Sequence, residues 1–208
     1  SDGTGVAIGA IGNDGGGDAS GHVRVYSWNG TSWNQVGADI DGEAEDDQSG
    51  LSVSLSSDGT KVAIGANGND GGGSGSGHVR VYEYVSSSWI QPVPDIDGEA
   101  ASDQSGRSVA LSGDGTKVAI GATSNDGNGS NSGHVRVYDI LTPEISSVSL
   151  AANNSTITVT TSLSVYNSSG GSSDLEVSDF ALSISGGSAT LTSATPTYIS
   201  KTSQSVWV

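Results

Sequence analysis

The 208-residue chain has no cysteine and no methionine, one phenylalanine and only four prolines. Without cysteine there is neither a disulfide framework nor thiol chemistry to build on. No apolar run reaches the ~20 residues that cross a bilayer as a helix, so membrane insertion is not expected. Basic residues are scarce, with seven Lys and Arg against 23 Asp and Glu and a formal net charge of −16. Such a surface lacks the clustered cations that grip phosphate, which excludes nucleic acid and anionic membrane as natural partners. Cations, above all calcium, suit it better. Apolar residues never recur at the helical period, and the 32 glycines among β-branched residues exclude helical arrays.

What the chain does have is a repeat. Gly-His-Val-Arg-Val-Tyr starts at Gly21, Gly77 and Gly133, steps of 56 residues without insertion or deletion. The same step relates Asp2-Gly3-Thr4, Asp58-Gly59-Thr60 and Asp114-Gly115-Thr116, and the Val-Ala-Ile-Gly-Ala runs at Val6, Val62 and Val118. One supersecondary unit is therefore stacked in tandem. Leu51 to Val93 reads as four strands. Leu51, Val53 and Leu55 alternate with serines, and Asp58-Gly59 signals a hairpin. Val62 to Ala66 follows, with Ala63 and Gly65 forming a small-residue face suited to close approach by a neighbouring sheet. His78 to Tyr82 is the third strand and Ser88 to Gln91 the fourth, with the polar run from Asp95 to Gly106 leading to the next unit. This is the arithmetic of a β-propeller blade.

These residues resemble the FG-GAP repeats of the integrin α-subunit propeller and its bacterial relatives, over roughly the first two-thirds of the chain. The likeness is carried by Ser-Gly-x-Ser-Val at Ser49 and Ser105, by the Val-Ala-Ile-Gly-Ala strands and by Gly-x-Val-x-Val-Tyr. Ser49 and Ser105 replace the family's Phe, and Ile11, Asn67 and Thr123 its Pro. Calcium-binding blades of that family carry an Asp-rich loop between their first two strands. Ser57 to Thr60 is too short to wrap such an ion, so those sites do not carry over. From Pro143 the composition turns to Ser and Thr, and Ile145–Leu150, Ser155–Val165 and Asp179–Ile184 resemble the opening strands of a bacterial Ig-like domain of surface-layer or adhesin type. The expected fold class is all-β: a partial propeller of four-stranded antiparallel blades over residues 1–142, about two and a half blades, then a C-terminally incomplete Ig-like sandwich over 143–208. Ser1 aligns inside the repeat and Val208 follows no turn signal, which reads as a piece of a longer protein.

Asp39-Ile40-Asp41-Gly42-Glu43, repeated as Asp95-Ile96-Asp97-Gly98-Glu99, sets alternate carboxylates ahead of a glycine. It resembles half of a calcium loop without the later bidentate Glu, and the plain alternative is a solvated connector. The calcium candidates are thus Asp39, Asp41, Glu43, Asp95, Asp97 and Glu99, with no other cofactor expected. Asn13-Asp14-Gly15 and its copies at Asn69 and Asn125 read as turns, where Asn, Asp and Gly tolerate left-handed backbone. His22, His78 and His134 sit on equivalent strands of separate units and cannot converge on one ion, so they read as structural. Arg24, Arg80 and Arg136 are expected to pair with acids of nearby loops, and Trp33 and Trp89 to seal blade edges.

Almost every chemically capable residue is duplicated by the repeat, whereas an active site needs an asymmetric acid, base or nucleophile group. The sequence therefore predicts a non-enzymatic, extracellular or cell-surface bacterial protein acting in adhesion, ligand presentation or as a spacer. Its expected partners are protein or glycan ligands at a surface, with self-association through open blade edges. Two alternatives stay open: a calcium-dependent carbohydrate-binding propeller, and part of a propeller enzyme whose catalytic blades lie elsewhere.

Overall fold

The period-two runs form strands, and Asp58-Gly59 and Asp114-Gly115 each turn one antiparallel strand into the next. The computed structural model describes residues 3–140, 145–150, 157–161, 201–203 and 206–207. Three antiparallel sheets follow one another. The first contains β1 (Gly5–Ala10), β2 (His22–Trp28) and β3 (Trp33–Gln35), with β4 (Ile40–Asp41) also paired to β2. The second runs β5 (Ser52–Leu55), β6 (Lys61–Ala66), β7 (His78–Val85) and β8 (Ser88–Ile90), with β9 (Ile96–Asp97) on β7. The third is β10 (Ser105–Leu111), β11 (Lys117–Ala122) and β12 (His134–Asp139).

The register repeats with the sequence. Ala63 pairs with Val81 and Gly65 with Val79, as Ala7 and Gly9 do with Val25 and Val23, and Ala119 and Gly121 with Val137 and Val135. The four strands expected between Leu51 and Val93 are β5 to β8. One expectation needs correction. The acidic runs are not plain connectors, because Ile40–Asp41 and Ile96–Asp97 add short strands to β2 and β7. The third unit shows three strands among the described residues; the positions equivalent to Ser88–Ile90 are 144–146, beyond residue 142 where the repeats were expected to end.

The core lies between units. Val23, Val25 and Ile40 of the first pack on Val62 and Ile64 of the second. Ala63, Val79 and Val81 of the second pack in the same way on Val118 and Ile120 of the third. The small-residue face does what was expected of it. A Cβ on Gly9 would lie 2.0 Å from the carbonyl oxygen of Gly50, and one on Gly65 would lie 2.0 Å from that of Gly106. Between these contacts the Gly50 amide donates to the Gly65 carbonyl at 3.1 Å, tying β6 to the start of its own unit.

One of the two tryptophans departs from expectation. Trp33 is 47% exposed and tilts against Trp28, ring centroids 5.5 Å apart. Trp89 does seal a seam: its Nε1 donates to the Val36 carbonyl at 2.7 Å, and its ring covers Gly37.

The chain forms two compact bodies, Ser1–Ile140 and Leu141–Val208. The second holds an antiparallel sheet in the order β13 (Ile145–Leu150), β14 (Ile157–Thr161), β16 (Val206–Trp207), β15 (Lys201–Ser203). The strand expected at Asp179–Ile184 lies outside the described residues.

Candidate functional site

Period two puts His78, Arg80 and Tyr82 on one face of β7, the face also carrying Val62 and Ile64 of β6 across the ladder. That face packs toward the first unit, so the acidic run following β3 meets it. The polar site of this molecule is therefore the seam between consecutive units.

The six predicted calcium ligands are distributed along these seams rather than wrapped in one loop. Asp39 stays within its own sheet, where Arg24 donates through Nε and Nη2 at 2.9 and 2.7 Å and Gln35 Nε2 at 2.7 Å. The bond from Arg24 is the main reason its carboxyl is held down to about 2, and the same pair raises the guanidinium above its ordinary value. Asp41 pairs its backbone with His22, its Oδ1 lying 3.8 Å from His22 Nδ1. Asp97 pairs with His78 in the same way. Glu43 crosses the seam, its Oε1 3.3 Å from Arg80 Nη1 and its Oε2 4.0 Å from His78 Nδ1. Glu99 makes the equivalent crossing to Arg136 and His134. Asp95 presents Oδ2 to His78 Nδ1 at 3.8 Å, while its Oδ1 accepts from Gln91 Nε2 at 2.5 Å.

The arginines thus pair with acids of nearby runs, two of the three across a seam. The histidines do not converge on each other, as reasoned, but each meets carboxylates. Among the described residues Glu43, His78 and Asp95 are the one group of three whose ligand-type atoms all lie within 4.8 Å of one another. His78 is 1% exposed, and neither ring nitrogen has a hydrogen-bond partner. Burial, then the neighbouring Arg80 charge, pushes its pKa below the ordinary histidine value, favouring the neutral ring. Burial raises the Tyr82 hydroxyl in turn.

Two equivalent clefts open along the seams. One of about 380 Å³ is lined by Asp39, Asp41, Tyr82 and Trp89, and one of about 400 Å³ by Asp95, Asp97 and Tyr138.

Sequence reasoning missed Asp47 and Asp103. Each is 3% exposed, accepts the amide of Ala44 or Ala100 in its own run, and takes Asn69 or Asn125 Nδ2 of the next unit at 3.1 or 2.8 Å. The signal was present. Glu45-Asp46-Asp47 becomes Ala101-Ser102-Asp103 in the next copy, and the acid that persists is the buried one. The Asn-Asp-Gly turns hold their own loops: Asn69 Oδ1 accepts from Gly71, and Asp70 Oδ1 from Gly75.

Residues 96–138 match the family model of the FG-GAP repeat. The match begins at β9 and ends within β12, so it spans the acidic run from its second residue together with β10 and β11. The same register lies 56 residues earlier, over 40–82. A search of curated proteins found no match.

Proposed function

We propose that this chain belongs to a non-enzymatic extracellular or cell-surface protein, in which FG-GAP-type units stack as propeller blades and an Ig-like module follows. Its role is adhesion, ligand presentation or spacing. One observation carries this reading: the seams repeat the same contacts, while the copies differ at loop tips 17–19, 73–75 and 129–131. Each tip is braced from behind by the same bond, from Ala19 to Asp14, Gly75 to Asp70 and Asn131 to Asp126. A rigid base with variable, pre-ordered tips loses little entropy when a partner binds. The FG-GAP match at 96–138 agrees with an integrin-like or propeller protein. Ion pairs that recur with the repeat suit a scaffold better than the asymmetric group catalysis needs.

The test is a glycan array and surface plasmon resonance against protein ligands, using the full chain and a variant with all three tips replaced by Gly-Lys-Asn, a sequence none of them has. Binding that survives the replacement unchanged would sink the proposal. A second reading, calcium-dependent glycan binding, is favoured by the seam clefts, where Tyr82 and Trp89 lie beside two aspartates. A glycan signal that chelator abolishes but tip replacement spares would select it.

A further inference from the structure

We propose that Glu43, His78 and Asp95 bind one first-row transition-metal ion of the zinc class at the seam between the first and second units. The donor set is one imidazole nitrogen and two carboxylate oxygens, a mixture suited to such ions, whereas calcium takes six to eight oxygens. Bonds of about 2.0–2.2 Å require donor atoms within about 4.4 Å of each other. His78 Nδ1 meets this toward both carboxylates, at 3.8 and 4.0 Å. The Glu43 and Asp95 side chains are 46% and 32% exposed, and all three donor atoms lie within 4.8 Å of one another, so the two carboxylate oxygens need approach by no more than about 0.4 Å.

Three features set this cluster apart from a chance group of acids. His78 is buried without a hydrogen bond to either ring nitrogen, an arrangement that costs free energy unless something occupies the site. Each carboxylate is held by one oxygen and offers the other: Glu43 Oε1 faces Arg80 while Oε2 faces His78, and Asp95 Oδ1 accepts from Gln91 while Oδ2 faces His78. Outer partners of this kind orient ligands in metal sites. The donors also come from two units, so an ion there would clamp the seam. In the next seam Glu99 and His134 keep their places, but the position equivalent to Asp95 is Ala151, leaving that set one donor short.

Isothermal titration of the full chain with zinc chloride tests this directly. One tight site is expected, together with a rise in melting temperature that chelator reverses. Glu43→Gln and Asp95→Asn should each weaken zinc at least tenfold, and His78→Gln should do the same if it folds. His134→Gln should leave the tight site within twofold. Cobalt(II) should give a visible ligand-field band that Asp95→Asn removes. The proposal is overturned by absence of heat up to millimolar zinc, by a tight site that survives both carboxylate substitutions, or by calcium competing equally.

Discussion

Only a hydrogen atom fits on the α-carbons of Gly9 and Gly65, because the carbonyl oxygen of the following copy fills the space a methyl would need. Gly65→Ala should therefore force the second and third units apart and lower stability by about 1–3 kcal/mol, as overpacking does. Gly12→Ala, where nothing lies within 4 Å, should leave the urea midpoint almost unmoved. The hairpin aspartates act through charge instead. Asp114 Oδ1 accepts from Ser112 Oγ at 2.6 Å, Thr116 N at 3.1 Å and Thr116 Oγ1 at 2.9 Å, which lowers its pKa from 3.8 to about 2. Asp58 is lowered by the same contacts one copy earlier. A depressed carboxyl stabilises the fold above its unfolded value and stops doing so as pH falls through its folded one. Thermal melts of the double variant Asp58→Asn, Asp114→Asn should thus lose part of the acid sensitivity seen between pH 3.8 and about 2. An unchanged acid limb would show that these bonds do not discriminate between charge states.

At the scale of elements, one tryptophan shows how a copy adapts to its neighbour. Trp89 covers Gly37, whose φ is +72° and whose absent Cβ would lie 2.8 Å from the indole. One 56-residue step on, Val93 stands at the position of Gly37 and Ile145 at that of Trp89, so the glycine and the indole are replaced together in the sequence. Trp89→Ala should cost roughly 2 kcal/mol, below the 3–5 of a fully buried ring, and Trp33→Ala less than about 0.5. Chemical denaturation of both variants checks this; equal losses would contradict the assignment. The strands were legible in the sequence because period-two runs and Asp-Gly turns are local signals. β4 and β9 were not, since two residues carry no period and their pairing with β2 and β7 is fixed by tertiary placement. The seam chemistry was half legible. That His78, Arg80 and Tyr82 share a face follows from strand geometry, but which neighbour that face turns toward is a packing choice no local pattern encodes. Hence the sequence offered the acids as a self-contained loop, whereas Glu43 reaches into the unit that follows it.

Within the body Ser1–Ile140, identical residues take different exposures according to whether another repeat unit of that body packs on them. Val79 and Val81 are 0% exposed, yet their copies Val135 and Val137 are 70% and 66% exposed. Ile64 is 1% exposed and its copy Ile8 is 51%. Within the body Ser1–Ile140 these two faces carry the same residues as the two halves of a seam made twice there, so the faces of two copies are complementary. Such head-to-tail contact is heterologous and does not close on itself as a symmetric dimer does. The full chain should therefore associate with rising concentration in light scattering, and Val135→Asp or Ile8→Asp should each leave it monomeric. Mixing the two variants should yield a dimer that grows no further, one good face from each; a mixture that stays monomeric would refute head-to-tail stacking. The crossing of Glu43 and Glu99 into the following unit also bears on heredity. Because each run serves the copy after it, gain or loss of whole 56-residue segments preserves every junction, while a cut between a run and the strands it serves uncouples one. Unequal recombination between such near-identical coding segments would lengthen or shorten the array with its joints intact.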